Sequence, residues 1–174
     1  MTELTIVPVP EDCFDDLKPL WRALYDHHSA LTPHLRHREV PFERAWEARR
    51  GLEREWLQSE PQSFVLAAQN ADDYVGYAFV RVRSGDGFAA SWSASHPLAE
   101  LVTLVVLPEA RGRGAGSALL DAVEAKLQEL GVEDMVIAVV TTNTEAMRLY
   151  ERRGAVPFIT QFVHRIQPAG EART

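Results

Sequence analysis

Cysteine is almost missing from this chain. Cys13 stands alone among 174 residues, so no disulfide frame closes within the chain and no cysteine pair exists to hold structural zinc. Lysine is nearly as scarce: Lys18 and Lys126 are the two, and the rest of the 18 basic residues are arginine. Against 25 acidic residues this leaves a net charge of −7 and a pI near 5.4, a balance that argues against nucleic acid as a partner. No apolar run approaches the roughly 20 residues of a bilayer-crossing helix, and the opening "MTELTIVPVPED" has no basic-then-apolar signal pattern. The expectation is a cytoplasmic protein with no membrane association. Repeats, low-complexity tracts and linkers are absent as well. With 46% hydrophobic residues, one domain with its own core fits residues 1–168, and residues 169–174 read as a frayed tail.

What is present is a succession of strand and helix periods. "LTIVPVP" alternates as a short strand, and Phe14, Leu17, Trp21, Leu24, Tyr25 and His28 then recur at helical spacing, with Pro19 marking a helix start or kink. "PFERAWEARRGLEREWLQSEP" reads as a second amphipathic helix, interrupted or weakened at Gly51, with Trp46 and Trp56 on its apolar side. "SFVLAAQ", the turn "NADD" and "YVGYAFVRVR" make a hairpin, and "SGDGFAASWSASHP" is a loop by its Gly, Ser and Pro content. "LAELVTLVVLP" is a strand buried on both faces and stopped by Pro108. A helix lined by Leu119, Leu120, Val123, Leu127 and Leu130 follows and ends at Gly131. "DMVIAVV" is another buried strand, "NTEAMRLYERRG" a short helix closed by Gly154, and "VPFITQFVHRI" a final strand or strand pair. Two strand-to-helix units behind a hairpin predict an α/β fold around a mixed sheet.

Between the buried strand and its helix lies "RGRGAGS", residues 111–117. Glycines at 112, 114 and 116 let the backbone turn and let a ligand touch the main chain. The free amides of the next helix's first turn open at the same place, and the helix dipole adds positive potential. The combination suits an anion, phosphate above all. A dinucleotide fingerprint would need glycine where Ser117 stands, and a P-loop would need lysine before Ser or Thr. Taken alone, the stretch also fits a turn that merely lets strand and helix pack closely.

A second motif removes that ambiguity. Arg111, Gly114 and Gly116 match Arg/Gln-x-x-Gly-x-Gly/Ala, and "NTEAMRLYERRGAVPF" carries Asn143, Ala146, Leu149, Tyr150 and Gly154 at matching spacings. Over residues 99–158 the chain resembles the GNAT superfamily of acetyl-CoA-dependent N-acetyltransferases. The resemblance implies an acyl-CoA N-acyltransferase fold: a mostly antiparallel central sheet with one splayed parallel strand pair, flanked by helices. It implies that Arg111, Gly112, Arg113, Gly114, Ala115, Gly116 and Ser117 hold the pyrophosphate of acetyl-CoA. The peptide groups of Leu104, Val105 and Val106 would pair with the pantetheine arm, and Asn143, Ala146 and Tyr150 would complete the cofactor site. The Val106 amide would face the acetyl carbonyl, where oxyanion charge develops during attack by an amine. Tyr150 would protonate the departing coenzyme A thiolate, its phenol having an ordinary pKa near 10; the alternative is a tyrosine that packs and bonds the sulfur without giving up a proton. Asn143 reads as a cofactor ligand, a helix N-cap, or both.

Glu100 is the candidate base for the incoming amine, or else a solvated acid at a strand start. On a regular strand it shares one face with Val102, Leu104 and Val106. Tyr25, His28 and Trp92 are candidate acceptor contacts: the first two precede the helix–helix connection, and Trp92 shares a loop with Phe88 that could line a pocket, cap the core or enter a dimer interface. His27, His28, His34 and His37 match no zinc spacing, and no metal is expected. The implied activity is acetyl transfer to a primary amine of a small molecule or peptide. A silent acyl-CoA sensor would keep the glycine loop without needing Tyr150 or a base.

Overall fold

The computed structural model describes residues 4–84 and 97–164, and the chain divides into two compact units, 1–142 and 143–174. The first unit is built on a five-stranded sheet in the order β1-β2-β3-β4-β5. Its strands are β1 (Leu4–Pro8), β2 (Phe64–Asn70), β3 (Asp73–Arg83), β4 (Leu98–Val106) and β5 (Asp134–Ile137). β1 to β4 pair antiparallel, whereas β5 runs parallel to β4. The sheet is therefore mixed, as the sequence implies.

Between β1 and β2 lie α1 (Lys18–Leu31) and α2 (Phe42–Ser59). Pro19 sits in the first turn of α1, where its missing N–H leaves no intrahelical bond unmade. Residues Glu11–Leu17 precede it as a 3-10 segment that buries Phe14 and Leu17. Gly51 does not interrupt α2; an added Cβ there would meet nothing within 4 Å. A mid-helix glycine costs about 1 kcal/mol relative to alanine, less than the burial of Trp46 on the same helix supplies. Phe14, Leu17, Leu20 and Trp46 pack with Tyr77, Phe79 and Val105 into one core on the α1/α2 side of the sheet.

Beyond β4 the chain enters α3 (Ala115–Glu129), which buries Leu119, Leu120, Val123 and Leu127 and packs on β1 to β4. Gly131 closes it at φ +70. Among the described residues, no helix is long and apolar enough to cross a membrane. The second unit contains α4 (Thr144–Arg152), followed by Gly154 at φ +88. The predicted final strand is not found across residues 155–164. Alternation confers strand structure only where a partner completes the ladder, and Val156, Ile159, Phe162 and Val163 are exposed instead.

Candidate functional site

β4 carries one residue too many for its pairing with β3. Thr103 faces Phe79 and Leu101 faces Val80, so Val102 has no opposite number and forms a bulge. A bulge shifts side-chain phase by one residue. Glu100 therefore shares a face with Thr103 and Val105, opposite Arg81 and on the α1/α2 side, whereas Leu104 and Val106 share the other face with Leu101. The single-face alignment of Glu100, Val102, Leu104 and Val106 expected of a regular strand does not hold. The irregularity lies at Val102, ahead of the Leu104–Val106 segment.

Pairing of β4 with β5 covers Leu98 to Leu101 and ends at Ile137. β5 is accordingly shorter than its apolar run, and past Leu101 the two parallel strands part. Leu107 donates its N–H to the Val75 carbonyl at 2.9 Å, and groups along an antiparallel ladder alternate direction. The N–H groups of Leu104 and Val106 therefore point away from β3, into the split. The Val106 carbonyl also points there and accepts the Arg111 Nε–H at 3.1 Å.

The turn that follows is conformationally fixed at two glycines, Gly112 at φ +71 and Gly114 at φ +85, left-handed values that favour glycine. Gly116 needs no such freedom, since it lies in the first turn of α3. Gly114 is the N-cap of that helix, with no side-chain hydrogen bond to the first-turn amides. An added Cβ at Gly112 or Gly114 would meet nothing within 4 Å, so there is room over the backbone. These features match what a pyrophosphate requires: unsatisfied donors, space at the main chain, and arginines 111 and 113 beside a helix N-terminus.

In the second unit Asn143 caps α4, its Oδ1 accepting the Ala146 N–H at 3.2 Å. Burial pushes the Tyr150 phenol up to about 12, above its ordinary value near 10.

The acceptor candidates fall into separate environments. Tyr25 spends its hydroxyl on the Val40 carbonyl at 2.5 Å and packs on Phe42, fastening α1 to the start of α2. Loss of solvation, with Glu39 adding to it, raises its pKa. Loss of solvation holds His28 below its ordinary value, with His27 and Arg49 adding to this. Glu100 sits 3.7 Å from Arg81 and 3.9 Å from Arg83. Arg81 in turn binds both carboxylate oxygens of Glu60 and stacks on Trp56. Trp92 and Phe88 lie outside the described residues.

One cluster has no counterpart in the sequence reading. Glu53 of α2 is 1% exposed, and burial pushes it up to about 7, with Arg49 opposing. The Arg49 Nε lies 3.2 Å from Glu53 Oε1, an ion pair without hydrogen-bond alignment. Arg49 also donates to Thr103 Oγ1 at 3.1 Å and to the Val102 carbonyl at 3.4 Å. Tyr77 is buried, and loss of solvation raises its phenol well above the ordinary value, with the Glu53 charge adding to this. A signal was available: positions 46, 53, 56 and 57 share one helical stripe, and Glu53 puts a carboxylate among Trp46, Trp56 and Leu57.

Comparison with known proteins places this geometry. Mycothiol acetyltransferase of Propionibacterium freudenreichii subsp. shermanii is 30% identical over 147 residues, covering 83% of this chain and 40% of that protein. N-alpha-acetyltransferase 60 of Xenopus tropicalis is 29% identical over 108 residues, covering 56% and 45%. The chain thus spans less than half the length of these curated relatives. Among solved structures the fold resembles aminoglycoside N-acetyltransferase AAC(6')-Iy in complex with CoA, at TM-score 0.68, 18% identity and 97% coverage of both chains. It also resembles ribosomal-protein-alanine N-acetyltransferase from Brucella melitensis biovar Abortus 2308, at TM-score 0.60, 17% identity and coverage of 95% and 100%. The Acetyltransferase (GNAT) family pattern matches residues 21–155. Because that match runs from α1 to just past Gly154, through both cofactor motifs, this chain is a member of the GNAT acetyltransferase family.

Proposed function

We propose that this chain transfers the acetyl group of acetyl-CoA to a primary amine on a small molecule or a peptide. The observation that carries the reading is the split between β4 and β5, into which the Val106 N–H points, a few residues ahead of an uncapped, glycine-turned helix start. The main-chain amides around Gly112–Ser117, with Arg111 and Arg113, would hold the pyrophosphate. The peptide groups of Leu104, Val105 and Val106 would take the place of a missing strand along the pantetheine arm. Bound there, acetyl-CoA supplies an activated thioester. The Val106 N–H would donate to the acetyl oxygen as negative charge grows on it, a type of contact worth about 3 kcal/mol in other enzymes.

In the second unit, the N–H groups of the Asn143 side chain would reach the cofactor while its oxygen caps α4. Tyr150 would offer its proton toward the leaving sulfur. Glu100 is the base of this reading, acting directly or through water, with Arg81 at 3.7 Å and Arg83 at 3.9 Å from its carboxylate. Tyr25 and His28 remain acceptor contacts in the proposal through their aromatic faces. A pair of copies acting as a homodimer and a cytoplasmic setting belong to the same reading. The names of related proteins define the acceptors to try: an aminoglycoside, a mycothiol-type amine and a peptide with a free N-terminus.

Calorimetry and thermal unfolding test the cofactor half. At about 100 times its Kd, acetyl-CoA should add roughly 2.7 kcal/mol to folded-state stability. Gly114→Val should abolish that shift, because a β-branched residue resists φ near +85 and fills the space over the turn. A well-folded wild type that binds no acetyl-CoA would sink the reading. Binding without turnover across the amine panel would favour the acyl-CoA sensor.

A further inference from the structure

Arg49 and Glu53 have no part in the roles assigned above. Among the described residues Glu53 is nevertheless the one charged side chain this deeply buried. Placing a carboxylate in a core is unfavourable unless a partner offsets its lost hydration. Arg49 does. With Glu53 beside its Nε, it directs its other end to the Thr103 hydroxyl and the Val102 carbonyl, the two residues at which β4 bulges. The bulge determines which face and which direction every later group of β4 takes. A planar guanidinium touching both residues fixes it in a way that a flexible point charge would not.

We propose, resting on the functional reading above, that Arg49, oriented by Glu53, is a positioning residue that clamps the β4 bulge and so sets how Leu104 and Val106 present their N–H groups to the split. The groups facing this pair are few. Tyr77 of β3 and Thr103 of β4 meet it from the sheet, and His28 of α1 lies within the field of Arg49. Burial raises Glu53 to about 7. Above that pH the carboxylate is charged and Arg49 is held; below it the partner is neutral and the clamp slackens. The sign of the coupling is thus fixed: presentation of the Val106 amide improves as pH rises through neutrality.

Two measurements on the intact chain test this. The first is independent of catalysis: amide chemical shifts of residues 102–106 should titrate with a midpoint near 7 in wild type, and that titration should vanish in Glu53→Gln. Shifts that do not titrate, or that titrate equally in the variant, overturn the clamp. The second compares kcat. The wild-type to Glu53→Gln ratio should be near 1 at about pH 5.5 and rise to about tenfold by about pH 8.5, and because Leu104 and Val106 also pair with the pantetheine arm in the reading above, any weakening of the Kd for acetyl-CoA should follow the same pH course. A ratio that is the same at every pH shows a merely structural pair. Should Glu53→Gln fail to fold, Arg49→Lys carries the test, with kcat expected to fall about fivefold or more at saturating acetyl-CoA. If wild type transfers no acetyl group at all, the functional reading falls, and the amide titration still decides the clamp.

Discussion

Tyr150 shows how one environment changes a role. A free thiol ionises near 8.5, and burial pushes this phenol up to about 12. Full proton transfer to a free thiolate would therefore run uphill by about 3 to 4 units, roughly 5 kcal/mol. That is comparable to everything a general acid ordinarily contributes. In the proposed reaction the phenol would consequently be better suited to hold a hydrogen bond to the sulfur as charge leaves than to give up its proton early. Tyr150→Phe should lower single-turnover transfer by about tenfold, below the roughly hundred- to ten-thousandfold usual for acid–base groups, with little change in acetyl-CoA affinity. With its pKa near 12, Tyr150 should also add no ionisation to the wild-type profile between about pH 6 and pH 10. A fall of a thousandfold, or a wild-type inflection near pH 9 that Tyr150→Phe removes, would show a phenol ionising far more readily than its burial allows.

At the scale of elements, two glycines make opposite predictions for the same substitution. Gly76 lies opposite Val106, where β3 and β4 approach closely, and an added Cβ would sit 2.7 Å from the Val105 carbonyl oxygen. That oxygen belongs to the ladder itself, so Gly76→Ala must push the strands apart at the mouth of the split. A loss of about 2 kcal/mol, or about 4 to 8 °C in Tm, is expected. Gly51→Ala meets open space within α2 and should stabilise by about 0.5 to 1 kcal/mol. Thermal unfolding of the two variants side by side checks both; shifts of opposite sign, with the Gly76→Ala loss the larger, show that backbone approach, not glycine content, governs these sites, and shifts of the same sign would refute it.

These elements also show what a sequence discloses. The 111–117 turn was legible because Gly112 and Gly114 hold left-handed positions that favour glycine, and the start of α1 because Pro19 tolerates few positions. Asn143 could be identified as a cap from its place before a helical run. The phase of β4 was not legible, since nothing in "LAELVTLVV" marks Val102 as the extra residue; pairing with β3 decides it. The length of β5 escaped for the same reason, its apolar run continuing after its partner has turned away. Glu53 was visible as a carboxylate on an apolar stripe, but that it reaches Arg49 and through it the bulge depends on how α2 lies on the sheet.

Considered as a whole molecule, the protein carries a net charge of −7 while its two proposed substrates have opposite charges. The amine arrives mainly as a cation, since a lysine-like group has a pKa near 10.4, and acetyl-CoA arrives as a polyanion. The long-range field should therefore hasten encounter with the amine and oppose encounter with acetyl-CoA. Close in, the proposed site would draw the anion through Arg111, Arg113 and the N-terminus of α3, within the distance over which salt screens least. Raising ionic strength from about 0.02 M to about 0.3 M shortens the screening length from roughly 20 Å to below 10 Å. It removes the global term for both partners while leaving most of the local one. The expected result is that kcat/KM for a polycationic amine falls with salt, whereas kcat/KM for acetyl-CoA stays level or rises. Steady-state kinetics over that range, with each substrate varied in turn, reads both slopes. Parallel slopes of the same sign would mean that local charges near the site, rather than the acidic balance of the chain, set the approach of both partners.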